Sequence, residues 1–312
     1  MTSDSTPQPV RVAVAGASGL LGSALVRRLA ADGHTVLRLV RRAPRGADEV
    51  RWDPAAGQVD AAALEGVDAV VNLAGENVGE RWTPARKRAI RESRAGATRL
   101  LANTLAGLTN KPRVLVNASA VGIYGDRGEE RLDEASAPGR GFLAEVVRDW
   151  EAATEPASGA GIRVVLPRFG VVLSARGGAL AKMLTPFRLG AGGTLGSGAQ
   201  WMPWISIDDA VALMETAIHD ERFAGPLNAV ADAVTNQQFT HALGRALGRP
   251  TIVPVPAFAL KLAFGEMAAE TTLASQRVEP RALTQLGYSF IHPELDDAVR
   301  AGIADDDEAR GG

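Results

Sequence analysis

The 312-residue chain contains no cysteine, four histidines and only two tyrosines. Without cysteine there is no disulfide framework, zinc–thiolate site, iron–sulfur cluster or thiol nucleophile. The histidines do not have the spacing of metal ligands, and the chain lacks a G-x-S-x-G nucleophile elbow. We therefore predict no metal site. The histidines are His34, His219, His241 and His292.

The chain also lacks an excess of charge of either sign and any long apolar run. Lys and Arg number 34 and Asp and Glu 36, a net charge of −2. The densest basic run, residues 38–45, is too short to neutralise a polyphosphate track, so we predict no nucleic-acid partner. Prolines and Lys261 interrupt the apolar stretch at 251–264, short of the roughly 20 residues that span a membrane. The polar start MTSDSTPQP does not resemble a signal peptide, and we expect a cytoplasmic protein.

Short apolar runs alternate with amphipathic segments along the chain. Arg11–Ala15 is β-prone, a stripe of apolar residues at helical spacing follows from Leu21, and Thr35–Val40 is again β-prone. This is one βαβ unit. Later runs at Ala69–Leu73 and Val164–Leu166 are apolar without alternation, which is typical of strands buried on both faces. The sequence predicts an α/β fold with a doubly wound parallel sheet of the Rossmann type.

We predict three regions along the chain. A Rossmann domain covers residues 10–240 and contains an inserted substrate-side loop at about 175–205, where glycine is frequent. A smaller C-terminal substrate-capping region covers 241–302. The charged end, 303–312, is expected to fray.

The glycines Gly16, Gly19 and Gly22 lie between the first predicted strand and the first predicted helix. In this context G-x-x-G-x-x-G allows a tight turn, a close approach of the backbone to a pyrophosphate and close helix packing. The helix N-terminus adds a positive dipole end. The alternative is a tight turn without a ligand. We predict a dinucleotide site.

The residues after the second strand distinguish the two nicotinamide cofactors. An acidic residue there hydrogen-bonds the ribose 2′-hydroxyl of NAD, whereas arginine accommodates the 2′-phosphate of NADP. This chain has Arg41 and Arg42, with no carboxylate before Asp48. We predict NADP(H), the alternative being two solvated arginines.

Several motifs together resemble the extended short-chain dehydrogenase/reductase superfamily. They are GASGLLG (16–22), NLAG (72–75), SAVGIYG (119–125), LPRFG (166–170) and WISIDD (204–209). The match is closest to the atypical epimerase-family branch, whose members are described as nucleoside-diphosphate-sugar epimerase-like or cell-division-inhibitor-like. It covers about Val10 to Gly302.

The resemblance implies which residues contact the cofactor. The pyrophosphate would lie against Gly16, Ser18, Gly19, Leu20 and Leu21, the 2′-phosphate against Arg41 and Arg42, and the adenosine side against Leu73, Ala74 and Gly75. It also places Glu76 and Arg81 near the ribose and phosphates. For these two, an ordinary surface ion pair is the alternative.

Reductases of the superfamily use a Ser or Thr, a Tyr and a Lys, with the Tyr as general acid/base. Here the corresponding positions hold Ala120, Phe142 and Val146, and no lysine lies between Lys111 and Lys182. The usual proton relay is therefore missing.

The catalytic candidates that remain are Ser119 and Tyr124, and Arg168 could polarise a carbonyl. Tyr124 could instead be structural, and Arg168 could pair with a carboxylate.

The resemblance favours an NADP(H)-dependent oxidoreductase or epimerase-like enzyme that acts by reversible hydride transfer on a small carbonyl or nucleotide-sugar-like substrate. The alternative is a catalytically silent NADPH-binding sensor or regulatory protein. An exposed apolar helix face would allow a homodimer.

Overall fold

The computed structural model describes residues 8–311, and for 305–311 only the backbone. The strands are β1 (Arg11–Ala15), β2 (Thr35–Val40), β3 (Glu49–Asp53), β4 (Gln58–Val59), β5 (Ala69–Asn72), β6 (Val114–Asn117), β7 (Ser119–Ala120), β8 (Arg131–Leu132), β9 (Arg163–Phe169), β10 (Val171–Leu173), β11 (Trp201–Ser206), β12 (Gly225–Ala229), β13 (Asp232–Thr235) and β14 (Arg277–Val278).

The helices are α1 (Leu20–Ala31), α2 (Ala61–Leu64), α3 (Pro84–Arg91), α4 (Ala97–Gly107), α5 (Phe142–Ala152), α6 (Glu155–Gly159), α7 (Gly178–Arg188), α8 (Ile207–His219), α9 (Asn236–Leu247), α10 (Ala257–Phe264), α11 (Glu266–Glu270), α12 (Arg281–Gln285) and α13 (Leu295–Gly311).

The central sheet has the order β12-β9-β6-β5-β1-β2-β3-β4, with β7 beside β9. All its pairings are parallel except β3 with β4. Successive residues of β1 face opposite sides: Val12 and Val14 pack with α1 and α8, and Ala13 and Ala15 with α4. Both faces are thus covered by helices, and the predicted Rossmann-type fold is confirmed.

A second, three-stranded sheet, β10-β11-β13, lies with α7, α9 and α13 beside the central sheet. The segment predicted as a loop at 175–205 contains α7 and the start of β11, so its irregular backbone is confined to 175–177 and 189–200. The last helix extends through most of the segment expected to fray, and Gly312 lies outside the described residues. No helix in the described part of the chain is long and apolar enough to cross a membrane.

Candidate functional site

The glycine turn joins the carboxyl end of β1 to α1. Gly16 has a φ of +76°, and a Cβ on it would lie 2.7 Å from the carbonyl carbon of Leu73. A Cβ on Gly22 would lie 2.1 Å from the Gly16 oxygen. Both positions therefore require glycine for the fold. A Cβ on Gly19 would meet only the Gly16 oxygen, at 3.3 Å, so its other side is open.

The open side of this turn is the N-terminus of α1. Gly19 is the N-cap residue and supplies no side chain, and Ser18 and Gly19 are exposed. Leu20 and Leu21 form the first helical turn, whose amides have no carbonyl partner within the helix. Exposed donors at the positive end of a helix are suited to an anion.

The two arginines after β2 differ in their surroundings. Arg42 donates to both carboxylate oxygens of Glu49, at 2.5 and 2.6 Å. This bond is the main cause that lowers the pKa of Glu49 to about 2. The exposed Arg41 guanidinium makes no hydrogen bond or ion pair with the residues that the structure describes. Arg41 is thus free to bind a phosphate. Arg42 could bind one only by releasing Glu49 or by contacting the phosphate and Glu49 together.

The segment after β5 lies against the glycine turn. Buried Asn72 donates from Nδ2 to Thr98 Oγ1 at 2.9 Å and to Asn117 Oδ1 at 2.7 Å. The Ala74 amide donates to Asn72 Oδ1 at 3.3 Å, which fixes the backbone of Leu73 and Ala74 beside Gly16. The structure thus brings the predicted pyrophosphate and adenosine residues to one sheet edge, where parallel folds bind ligands.

Another basic group, Arg94, lies at this edge and belongs to none of the sequence motifs. A Cβ on Gly75 would lie 3.2 Å from Arg94 Cζ, so this guanidinium lies directly against the NLAG segment. Desolvation lowers the pKa of Arg94 to about 10, and its one direct hydrogen bond in the described structure is a long contact, 3.4 Å, to the Ile90 carbonyl. Its guanidinium also lies over the Trp150 ring, 5.2 Å from the centroid. No carboxylate forms an ion pair with it among the described residues, so it is available to an anionic ligand. Arg94 lies in a π-helical turn, Glu92–Gly96, a feature frequent at functional sites.

Glu76 and Arg81 have different partners in the structure. Glu76 pairs with Arg86 at 3.1 Å, and Arg81 donates to the Leu262 carbonyl at 3.1 Å. Glu76 thus forms a surface ion pair, which was the alternative to a cofactor contact, but its partner is Arg86. Their predicted contact with the cofactor stays a prediction.

The predicted catalytic residues Ser119 and Tyr124 belong to one buried polar network. Ser119 Oγ donates to Glu151 at 2.5 Å, and Arg168 donates to both Glu151 oxygens at 2.8 and 2.9 Å. Arg168 also donates to the Tyr124 hydroxyl at 2.9 Å, which itself donates to Asn228 Oδ1 at 2.7 Å. Arg168 therefore pairs with a carboxylate, Glu151, which was the alternative to its polarising a carbonyl.

Both hydroxyl groups are engaged within the protein. Tyr124 is fully buried and Ser119 is 2% exposed. Burial is the main cause that raises the pKa of Tyr124, so its phenol stays protonated at neutral pH. A catalytic role for either residue stays a prediction, and it would require a ligand to reach into this network.

The residues at the usual relay positions have different environments. Val146 is 1% exposed and belongs to the packed face of α5. Phe142 is half-buried, and its ring lies edge-on to Trp82, with the centroids 5.0 Å apart. Neither side chain can transfer a proton. Among the described residues, no group of three or more His, Asp or Glu is arranged to hold a metal ion.

Comparisons with known proteins agree with this geometry. Residues 12–228 match the model of the "NAD dependent epimerase/dehydratase family", and residues 255–301 match a domain of unknown function, DUF1731. Epimerase family protein Mb2239 of Mycobacterium bovis is 47% identical over 290 residues, which cover 92% of this chain and 96% of that protein.

Two solved structures are similar over most of this chain. One is the crystal structure of human epimerase family protein SDR39U1 (isoform 2) with NADPH, which has a TM-score of 0.86 and is 36% identical in sequence. The similarity covers 93% of this chain and 98% of the human chain. The other is the nucleoside-diphosphate sugar epimerase from Corynebacterium glutamicum, which has a TM-score of 0.78 and is 41% identical in sequence. The similarity covers 93% of this chain and 57% of the Corynebacterium chain.

Proposed function

This chain belongs to the NAD dependent epimerase/dehydratase family, and from that premise we propose that it binds NADP(H) and acts by hydride transfer on a small carbonyl or nucleotide-sugar-like substrate. The observation that carries the proposal is the glycine turn, open at Gly19 and closed by backbone at Gly16 and Gly22. Such a cradle leaves room for a pyrophosphate.

The surrounding charges support NADP(H) as the cofactor. Arg41 is free at the end of β2, where a 2′-phosphate would lie, and Arg94 lies against Gly75 on the other side of the cradle. The similar human protein was crystallised with NADPH. When bound, NADPH supplies the hydride. The chain itself would bind the phosphates, orient the carbonyl and provide a proton for the carbonyl oxygen.

Titration of the chain with NADPH and NADH, followed by tryptophan fluorescence, tests the cofactor. We expect NADPH to bind more tightly than NADH. Equal affinities would remove the preference for NADP(H), and no binding of either would remove the dinucleotide site.

A catalytically silent NADPH sensor is the second candidate, and the side chains of Phe142 and Val146 favour it. Absorbance at 340 nm, with NADPH and a panel of ketones, aldehydes and nucleotide sugars, separates the two candidates. Oxidation of NADPH that depends on the added carbonyl favours the enzyme. Tight binding with no oxidation on any of them favours the sensor.

A further inference from the structure

A lysine from a different helix lies beside Phe142. Lys87 of α3 places Nζ 4.8 Å from the centroid of the Phe142 ring and 5.9 Å from that of Trp82. Its ammonium also pairs with Glu266 of α11. The ammonium is stabilised by the two ring faces and by the carboxylate.

This cluster of Trp82, Lys87 and Phe142 lies where the sheet edge meets the capping region. A Cβ on Gly122, just after β7, would lie 3.6 Å from Leu143 Cβ, so the first turn of α5 packs at the carboxyl end of the sheet. Glu270 of the capping region accepts hydrogen bonds from the Phe142 and Leu143 amides, at 3.0 and 2.8 Å. The cluster therefore lies beside the first turn of α5, on the side that Glu266 and Glu270 contact.

Resting on the proposed function, we propose that Lys87 is the catalytic acid of this site. As the carbonyl carbon accepts the hydride, the π electrons of the C=O bond move to oxygen. That oxygen forms an O–H bond with a proton from Lys87, whose N–H bond breaks. The products are the alcohol, oxidised NADP and a neutral amine, which solvent reprotonates beside Glu266.

The other candidate donors are less suited to this step. Ser119 and Tyr124 are buried and hydrogen-bonded to Glu151, Arg168 and Asn228. The chain has only four lysines, and Lys111 lies before β6, at the amino end of the sheet. Lys182 donates to the Gly79 carbonyl at 2.8 Å. Lys87, whose side chain is 30% exposed, is the lysine that lies over the Phe142 ring.

The small number of lysines makes a direct test practical. Reductive methylation with ¹³C-formaldehyde labels all four, and the spectrum of a Lys87→Arg variant assigns the Lys87 signal. We expect this signal to differ between the NADPH and NADP⁺ complexes, because the nicotinamide ring gains a positive charge when oxidised. The Lys111 signal, from the far end of the sheet, is the internal control and should stay in place.

The outcomes separate this inference from the cofactor proposal. If tryptophan fluorescence shows no binding of either nucleotide, the proposed function fails and the inference with it. If both bind but the Lys87 signal is the same in the two complexes, only the role of Lys87 is overturned.

Activity provides a second readout, on any carbonyl that the wild-type chain reduces. Lys87→Met keeps the aliphatic stem over the rings but removes the proton. It should lower kcat by at least about 10²-fold, with NADPH affinity unchanged. Lys111→Met, at an exposed site, is the matched control. Wild-type kcat in Lys87→Met would overturn the assignment.

Discussion

Arg41 and Arg42 are neighbours with different roles. Arg42 is held by Glu49 through two hydrogen bonds, and this pair joins the end of β2 to the start of β3. Arg41 makes no such contact within the described residues. A phosphate near these residues could therefore bind Arg41 without breaking an ion pair within the protein.

We expect Arg41→Ala to weaken NADPH binding by roughly 10- to 150-fold, because a charge-assisted hydrogen bond contributes about 1.5–3 kcal/mol. NADH binding should hardly change. Calorimetric titration with both nucleotides measures the two effects. Arg148→Ala, which removes an exposed arginine on α5, is the control. An Arg41→Ala variant that binds NADPH as well as wild type would refute the 2′-phosphate contact.

The buried ion pair of Glu151 and Arg168 should contribute to the stability of the fold. Their side chains are 14% and 8% exposed, and the guanidinium also holds Tyr124. Desolvation lowers the pKa of Arg168, but the hydrogen bond and charge of Glu151 outweigh it, so the pKa is raised overall. Removing the carboxylate would thus leave a buried charge without its counter-ion.

Glu151→Gln should therefore lower the free energy of unfolding by about 3 kcal/mol, measured by urea denaturation. Asp297→Asn removes the partner of Arg300 in an exposed pair and should cost less than about 1 kcal/mol. Equal losses in the two variants would show that the buried network contributes no more than a surface pair.

Among the elements, the turn between β1 and α1 is the most directly testable. Gly19 has φ −75° and ψ 176°, a conformation open to any residue, and a Cβ there would meet only the Gly16 oxygen. Substitution at Gly19 should therefore change the cofactor site more than the fold.

Gly19→Val should fold and lose binding of both NADPH and NADH, because the branched side chain occupies the space of the pyrophosphate. Circular dichroism checks the fold, and fluorescence titration checks binding. Gly107→Val, at the end of α4 where a Cβ meets nothing within 4 Å, is the control. Retained NADPH affinity in folded Gly19→Val would mean that the phosphates bind elsewhere.

The sequence predicted the elements whose signals are local. The β1–α1–β2 unit and its glycine turn depend on residues within about thirty positions. Helix α7 was missed because Gly177 precedes it, Gly178 begins it, Pro186 lies within it and a glycine-rich tract follows it. Arg94 was missed for a different reason: nothing local distinguishes it from Arg88 or Arg91, and only the fold places it against Gly75.

At the scale of the whole molecule, residues 262–270 contact the predicted site through specific bonds. Glu270 holds the first turn of α5, Glu266 pairs with Lys87, and Leu262 accepts from Arg81. Helix α10 has no buried residue, and Phe258 and Leu262 are 73% and 76% exposed. This exposed apolar face agrees with the homodimer anticipated from the sequence, which stays a prediction.

The central claim is that one NADP(H) molecule binds at the carboxyl edge of the sheet, between the glycine turn and the arginines. A crystal structure of the chain with NADPH tests it most directly. We predict the pyrophosphate at the amides of Leu20 and Leu21, the 2′-phosphate at Arg41 and the nicotinamide beside Lys87. A nucleotide bound elsewhere, or one whose 2′-phosphate projects into solvent away from Arg41, would contradict the account.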